Sequence, residues 1–259
     1  MSDARTPGLG QMPVLDVLKF CMAMLVVSIH AQLFKEIGWL CAFVHPLQHS
    51  AVPLFFIVSS YLFFAREPAG AKPLGRYLKR LGLFYVFWFL LLLPVTVGIR
   101  KWHVHFDVAE FVRDLFLGST FRGSWFIMSL LIGVPVIHVA RRFLHPFVLL
   151  FATLAIHLPF QYPEWWPGAD WGRFSFLPYL LWVDIGALLA SKSVCPPPAK
   201  GLLPVLALPV LYGGMLFANM EPLLKPAFVV ALFLACRSCE IKPRPIHLLL
   251  RKMSILVYV

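Results

Sequence analysis

Long apolar runs separated by short polar or basic connections dominate the chain from Val14 onward. The first run, Val14 to Phe34, is long enough to cross hydrocarbon about 30 Å thick at a helical rise of about 1.5 Å per residue. Further runs at 48–65, 81–99, 124–140, 144–160, 174–191, 201–219 and 222–236 bring the predicted spans to eight. A last fragment, Met253 to Val259, begins a ninth span and stops, so the sequence reads as C-terminally incomplete. No soluble domain, low-complexity tract or short-period repeat interrupts this pattern. The predicted fold is all-α: a polytopic transmembrane helical bundle forming one integral membrane domain over 1–259. The first run is not a cleavable leader, because it is too long, carries internal charges and lacks a small-residue cleavage site behind it.

Composition agrees with that class. Hydrophobic residues make up 60% of the 259 and charged residues only 14%, with 24 phenylalanines. A soluble domain of this length can close its core with less apolar surface. The net charge of +11 does not point to nucleic acid, because its distribution follows the spans. Basic residues gather in every second connection: Arg66, Lys72, Arg76, Lys79 and Arg80; Arg141 and Arg142; Lys192 and Lys200; Arg237, Lys242, Arg244, Arg251 and Lys252. The intervening connections are nearly neutral, apart from a mixed-charge stretch at 100–123. The positive-inside rule then places the N-terminus and the basic loops in the cytoplasm.

The first span carries three ionisable residues, Asp16, Lys19 and His30. Eleven steps at about 100° put Lys19 and His30 within roughly 20° of one another, on one face and about 16 Å apart along the axis. Asp16 lies about 60° from Lys19 on the same side. Charged groups at this depth cost several kcal/mol and usually face a bundle interior or a wet cavity. Two readings stay open. Lys19 can snorkel to the cytoplasmic interface with Asp16 as its partner, and His30 can be a packing or capping residue. Alternatively the stripe serves proton movement, substrate binding or chemistry between the two sides.

Other candidates are weaker alone. Ser59 and Ser60 either line a polar cavity or bond their own helix backbone, the commoner habit of serine in membrane helices. Trp125 lines a substrate entrance or belongs to an interfacial aromatic belt. Asp184 is a second intramembrane acid, with a cation as its expected partner. His45, His49, His103 and His105 read as histidines on or near the outer side, and no metal is expected. The cysteines number five, with Cys236 and Cys239 in a single C-x-x-C, and are expected to be free thiols.

Five segments in order carry a resemblance. Leu15 to His30, LDVLKFCMAMLVVSIH, resembles the opening helix of the acyltransferase-3 family of membrane O-acyltransferases, where an Arg or Lys precedes a His by ten intervening residues. VPLFFIVSSYLFF at 52–64, GRYLKRLGLFYVFW at 75–88, GSWFIMSLL at 123–131 and MSILVYV at 253–259 resemble later elements of that family. Ser60 stands where the family usually has Gly, and Lys19 where Arg is commoner. The resemblance implies a multi-pass enzyme of the bacterial cytoplasmic (inner) membrane. Such an enzyme moves an acyl group, most often acetyl, from cytoplasmic acyl-CoA to a hydroxyl of a glycan or related acceptor. It implies catalytic roles for His30, Lys19 and Asp16, donor-phosphate contacts from Arg76, Lys79 and Arg80, and substrate contacts from Ser59, Ser60 and Trp125. Arg76 and Lys79 correspond to an Arg-x-x-Arg pair of the family loop. The expected partners are the lipid bilayer and the acceptor, with no nucleic acid. The rivals are a transporter of a glycan or lipid-linked substrate, which moves its cargo without consuming acyl-CoA, and an inactive membrane scaffold.

Overall fold

The computed structural model describes residues 13–65, 71–100, 107–117, 123–162, 176–191, 202–217, 221–239, 245–247 and 249–250. Among them every regular element is helical. The helices are α1 (Pro13–His30), α2 (Gly38–Phe64), α3 (Ala71–Arg100), α4 (Val108–Leu117), α5 (Ser124–Ala140), α6 (Pro146–Gln161), α7 (Leu180–Ala190), α8 (Leu202–Phe217) and α9 (Glu221–Ser238), with a short 3-10 turn at Leu177–Tyr179 before α7. Each of the eight apolar runs overlaps one of these helices. His103, His105 and the fragment Met253 to Val259 lie outside the described residues.

Three differences from the sequence expectation have physical causes. Helix α2 begins ten residues before the apolar run at 48, and α3 begins ten before the run at 81. The first turns of α3 carry Arg76, Lys79 and Arg80, which an apolar-run reading leaves out although they are compatible with a helix, whereas those of α2 are mainly apolar and are interrupted by His45 and Pro46. Helix α4 lies inside the stretch expected as a mixed-charge connection, opened by Asp107, whose Oδ1 accepts the Ala109 amide at 2.7 Å. Helix α1 stops at His30 rather than running to Phe34. Gln32 there adopts φ 51°. The Leu33 amide donates to the Ser28 carbonyl and the Gln32 amide to the Ile29 carbonyl, each at 3.2 Å. This is the Schellman closure, made with glutamine where glycine is usual.

The helices form two compact units, Met1–Ala65 with Leu189–Tyr258, and essentially Arg66–Leu188. In the first, α8 and α9 pack most extensively, α1 lies on α2, and α9 also touches α1 and α2. Leu15 and Ala23 of α1, Phe56 and Ile57 of α2, and Val229 and Phe233 of α9 are almost fully buried. A Cβ at position 214 would come within 2.5 Å of Leu224 Cδ1 of α9, so any larger residue there would require the Leu224 side chain to turn away. The Tyr212 hydroxyl donates to the Phe43 carbonyl, tying α8 to the first turns of α2.

In the second unit α3 meets α5 around Tyr85 and Ile127, with Leu81, Phe84 and Trp88 against them. Helix α4 sets Phe111 beside Phe89 of α3. Helix α5 meets α7 at Gly133, which faces Val183 and Leu180. Helix α6 packs on the 3-10 turn.

Helices α1, α2 and the Pro73–Gly98 part of α3 are long and apolar enough to cross a membrane. Helices α5, α6 and α8 and the stretch Leu177–Ala190 are apolar but shorter. The outer surface has the same character. On α3, Leu83, Phe87, Leu90, Leu91 and Val95 are each more than half exposed. Leaving such area in water costs about 25 cal/mol per Å², a cost that hydrocarbon removes.

The Schellman closure yields a test. A non-glycine residue in the left-handed region is strained, so Gln32→Gly should stabilise the protein by roughly 0.5–1 kcal/mol, and Gln32→Val should destabilise it by at least as much. Thermal unfolding in detergent measures both. Equal stability of the two variants would remove the strain from the account.

Candidate functional site

Over the first three turns of α1, the face that carries Lys19 packs inward. Leu15, Asp16, Met22 and Ala23, all within about 60° of Lys19 on the helical wheel, are buried. Lys19 Nζ lies 2.9 Å from Asp16 Oδ1, with side-chain exposures of 17% and 4%. The i, i+3 spacing puts the two groups one turn apart. Lys19 therefore has Asp16 as its partner, as the snorkelling reading also supposed, but most of its side chain is covered by protein. Toward the other end of α1, Ser28 Oγ donates to the Leu25 carbonyl and accepts from Gln48 Nε2 of α2, both at 2.7 Å. Gln48 and Ser28 are both buried, so this bond satisfies two groups that lie away from water.

His30 is the last residue of α1 and is exposed. It shares the Lys19 face but stands beyond the protein-covered part of the helix. The Schellman closure at Gln32 holds the chain reversal immediately behind it. The stripe of ionisable residues is thus buried at its Asp16–Lys19 end and open at its His30 end.

Ser60 is fully buried and its hydroxyl donates to the Phe56 carbonyl at 2.7 Å, so it bonds its own helix. Ser59 is half-buried. Beside Tyr61, the residue after Ser60, the Arg237 guanidinium of α9 stands 5.5 Å from the ring centre, and its Nη1 reaches the Leu189 carbonyl at 3.5 Å. Cys21, Cys41, Cys236 and Cys239 are free thiols.

The second unit holds the other candidates. Arg76, Lys79 and Arg80 are all exposed on the first turns of α3, at i, i+3 and i+4, so they present one cationic face. Trp125 is half-buried and stacks on Tyr179 with ring centres 4.9 Å apart. Asp184 is 2% exposed. Its Oδ2 accepts from Thr153 Oγ1 of α6 at 3.3 Å. The partner that the geometry gives Asp184 is thus a hydroxyl, Thr153, rather than the cation expected from the sequence.

One turn further along α6, His157 is buried with Nδ1 2.6 Å from the Pro178 carbonyl, and its ring meets Trp182 edge-on. A carbonyl only accepts, so Nδ1 carries a proton. Sequence reasoning passed over His157, Thr153 and the Ser28–Gln48 bond. The signal for the first two was their i, i+4 spacing in an otherwise apolar helix. The last joins groups twenty residues apart in different helices, and no local pattern marks it. Among the described residues no three or more His, Cys, Asp or Glu side chains converge as a metal site.

No family model, no curated protein and no solved structure matches this chain.

The ion pair gives a direct energetic test. Asp16→Ala leaves the Lys19 ammonium buried without its carboxylate, which should cost about 3 kcal/mol, whereas Asp16→Leu with Lys19→Met removes both charges and should recover most of that loss. Unfolding of the purified variants in one detergent checks this. A double variant as unstable as Asp16→Ala would show that the pair is not what the bundle is balancing.

Proposed function

We propose that this chain is an integral membrane O-acyltransferase of the cytoplasmic membrane, crossing the bilayer eight times with its N-terminus in the cytoplasm. It moves an acyl group, acetyl first among candidates, from cytoplasmic acyl-CoA to a hydroxyl of a cell-surface glycan or related acceptor. The observation that carries this reading is the order of groups on α1: a buried Asp16–Lys19 pair, then an exposed His30 on the same face at the helix rim. The motif resemblance of this and four later segments supports it.

The chemistry asks for such groups. The acceptor hydroxyl attacks the thioester carbonyl, the C–O bond forms, the C–S bond breaks, and the hydroxyl proton ends on the thiol of CoA. An imidazole near neutral pH suits the removal of that proton, and His30 takes the role of base or acyl carrier. Lys19, oriented by Asp16, supplies fixed positive charge. Arg76, Lys79 and Arg80 offer a cationic face of the kind that CoA phosphates require, with arginine able to grip a phosphate through two parallel bonds. Ser59, Ser60 and Trp125 are the proposed substrate contacts. Ser60 would act through the helix it bonds rather than through a free hydroxyl.

A second reading, a transporter, draws support from the second unit. Asp184, Thr153 and His157 are buried polar groups on α6 and α7 of the kind that relay protons in transport proteins. Consumption of acyl donor separates the two.

Purified protein in nanodiscs, given radiolabelled acetyl-CoA and glycan acceptors, should release CoA, and His30→Ala should lower that rate by about a hundredfold or more. Equal release from both proteins would remove His30 from the chemistry. Replacing Arg76, Lys79 and Arg80 together by Gln should raise KM for acetyl-CoA about tenfold or more while leaving kcat near its original value. A drop in kcat at unchanged KM would assign the cluster to something other than donor binding.

A further inference from the structure

Helix α2 presents two imidazoles one turn apart. His45 and His49 are both exposed, and their rings stack with centres 3.9 Å apart and planes 29° from parallel. Sequence reasoning placed these residues at or before the start of a span, where their spacing carries no geometric meaning. Helix α2 begins at Gly38, so both lie in regular helix and the i, i+4 spacing puts them on one face.

We propose that His45 and His49 form a two-imidazole chelating site for a borderline divalent transition metal of the zinc, nickel or copper class. Two histidines at i and i+4 on a helix are a recurrent pair of zinc ligands. At metal–nitrogen distances of 2.0–2.1 Å in tetrahedral geometry, the two ligand nitrogens stand roughly 3.4 Å apart. Rings already stacked at 3.9 Å reach that separation by rotation about χ2, which is a soft torsion in histidine. Water fills the remaining positions. Imidazole suits these cations, whereas calcium and magnesium prefer oxygen.

The backbone under the pair is held on both sides. The Tyr212 hydroxyl donates to the Phe43 carbonyl two residues before His45. The Gln48 side chain, next to His49, donates to Ser28 of α1. Pro46, between the two histidines, is buried. Helix α2 therefore cannot turn freely about its axis, and the two rings stay on its exposed side. A metal bridging them would clip successive turns and stabilise the start of α2, because binding to the folded state alone adds to its stability. The site is separate from the proposed acyl-transfer residues and does not depend on that function.

The test uses the full chain, purified in detergent through a tag that contains no histidine, and Zn²⁺ as the probe. Calorimetric titration should give one Zn²⁺ per chain. His45→Gln and His49→Gln should each weaken binding tenfold or more, at least the loss seen on removing an outer-sphere partner of a metal ligand, about 10–100-fold. Zn²⁺ should raise the unfolding temperature of the parent protein and of neither variant. Cu²⁺ bound to the parent should show two nitrogen ligands by electron paramagnetic resonance, and one in each variant. Both side chains are exposed, so the variants should keep the parent's circular dichroism and gel-filtration behaviour. Unchanged Zn²⁺ affinity in the double variant, or no binding by the folded parent at about 1 mM Zn²⁺, a concentration that detects even weak sites, would overturn the proposal.

Discussion

A carboxylate and an ammonium can lie inside a helical bundle only as a pair. Asp16 and Lys19 are held 2.9 Å apart on the inward face of α1, in the midst of Leu15, Met22 and Ala23. Stripping either ion of water costs several kcal/mol, and the attraction of its partner offsets that cost only at short range. The pair lies on the face of α1 that is buried over its first three turns, and α1 packs on α2 and touches α9. Further along the helix Ser28 is buried on the other side, bonded to Gln48, and His30 emerges exposed at the rim.

The same constraint acts elsewhere, and each instance joins elements that apolar packing alone would leave free to slide. Ser28 and Gln48 lock α1 to α2, Tyr212 locks α8 to α2, and Thr153 and Asp184 lock α6 to α7. Leucine and phenylalanine side chains set how close helices come but are tolerant of register, whereas a hydrogen bond of 2.7 Å between buried groups is not. Much of the exposed surface of the helices is apolar. The exposed run on α3 from Leu83 to Val95 is the plainest example, and only hydrocarbon makes it inexpensive.

Much of this was legible in the sequence because the bilayer imposes a crude but strong rule on it. Each long apolar run became a helix, and Asp16 was identifiable as the partner of Lys19 from their spacing alone. Ser60 was expected to bond its own backbone and does so. The helix starts were less legible. Turns that extend beyond the apolar run, such as those carrying Arg76 and Lys79, obey helix propensity rather than hydropathy. The end of α1 depended on Gln32 taking a left-handed conformation, which glycine announces and glutamine does not. Contacts between distant helices, Gln48 with Ser28 or His157 with Pro178, are tertiary facts with no local signature. The stacked pair His45–His49 became visible only once α2 was seen to start at Gly38.

The proposed function requires α1 to cross the membrane with its ion pair toward the cytoplasm and His30 toward the outside. Labelling with a membrane-impermeant maleimide tests it directly, after the five native cysteines are replaced by serine. Lys35→Cys, just beyond His30, should react in intact cells. Lys79→Cys, in the basic turns of α3, should react only after the membrane is permeabilised. Reaction of both positions from the same side would contradict the topology proposed.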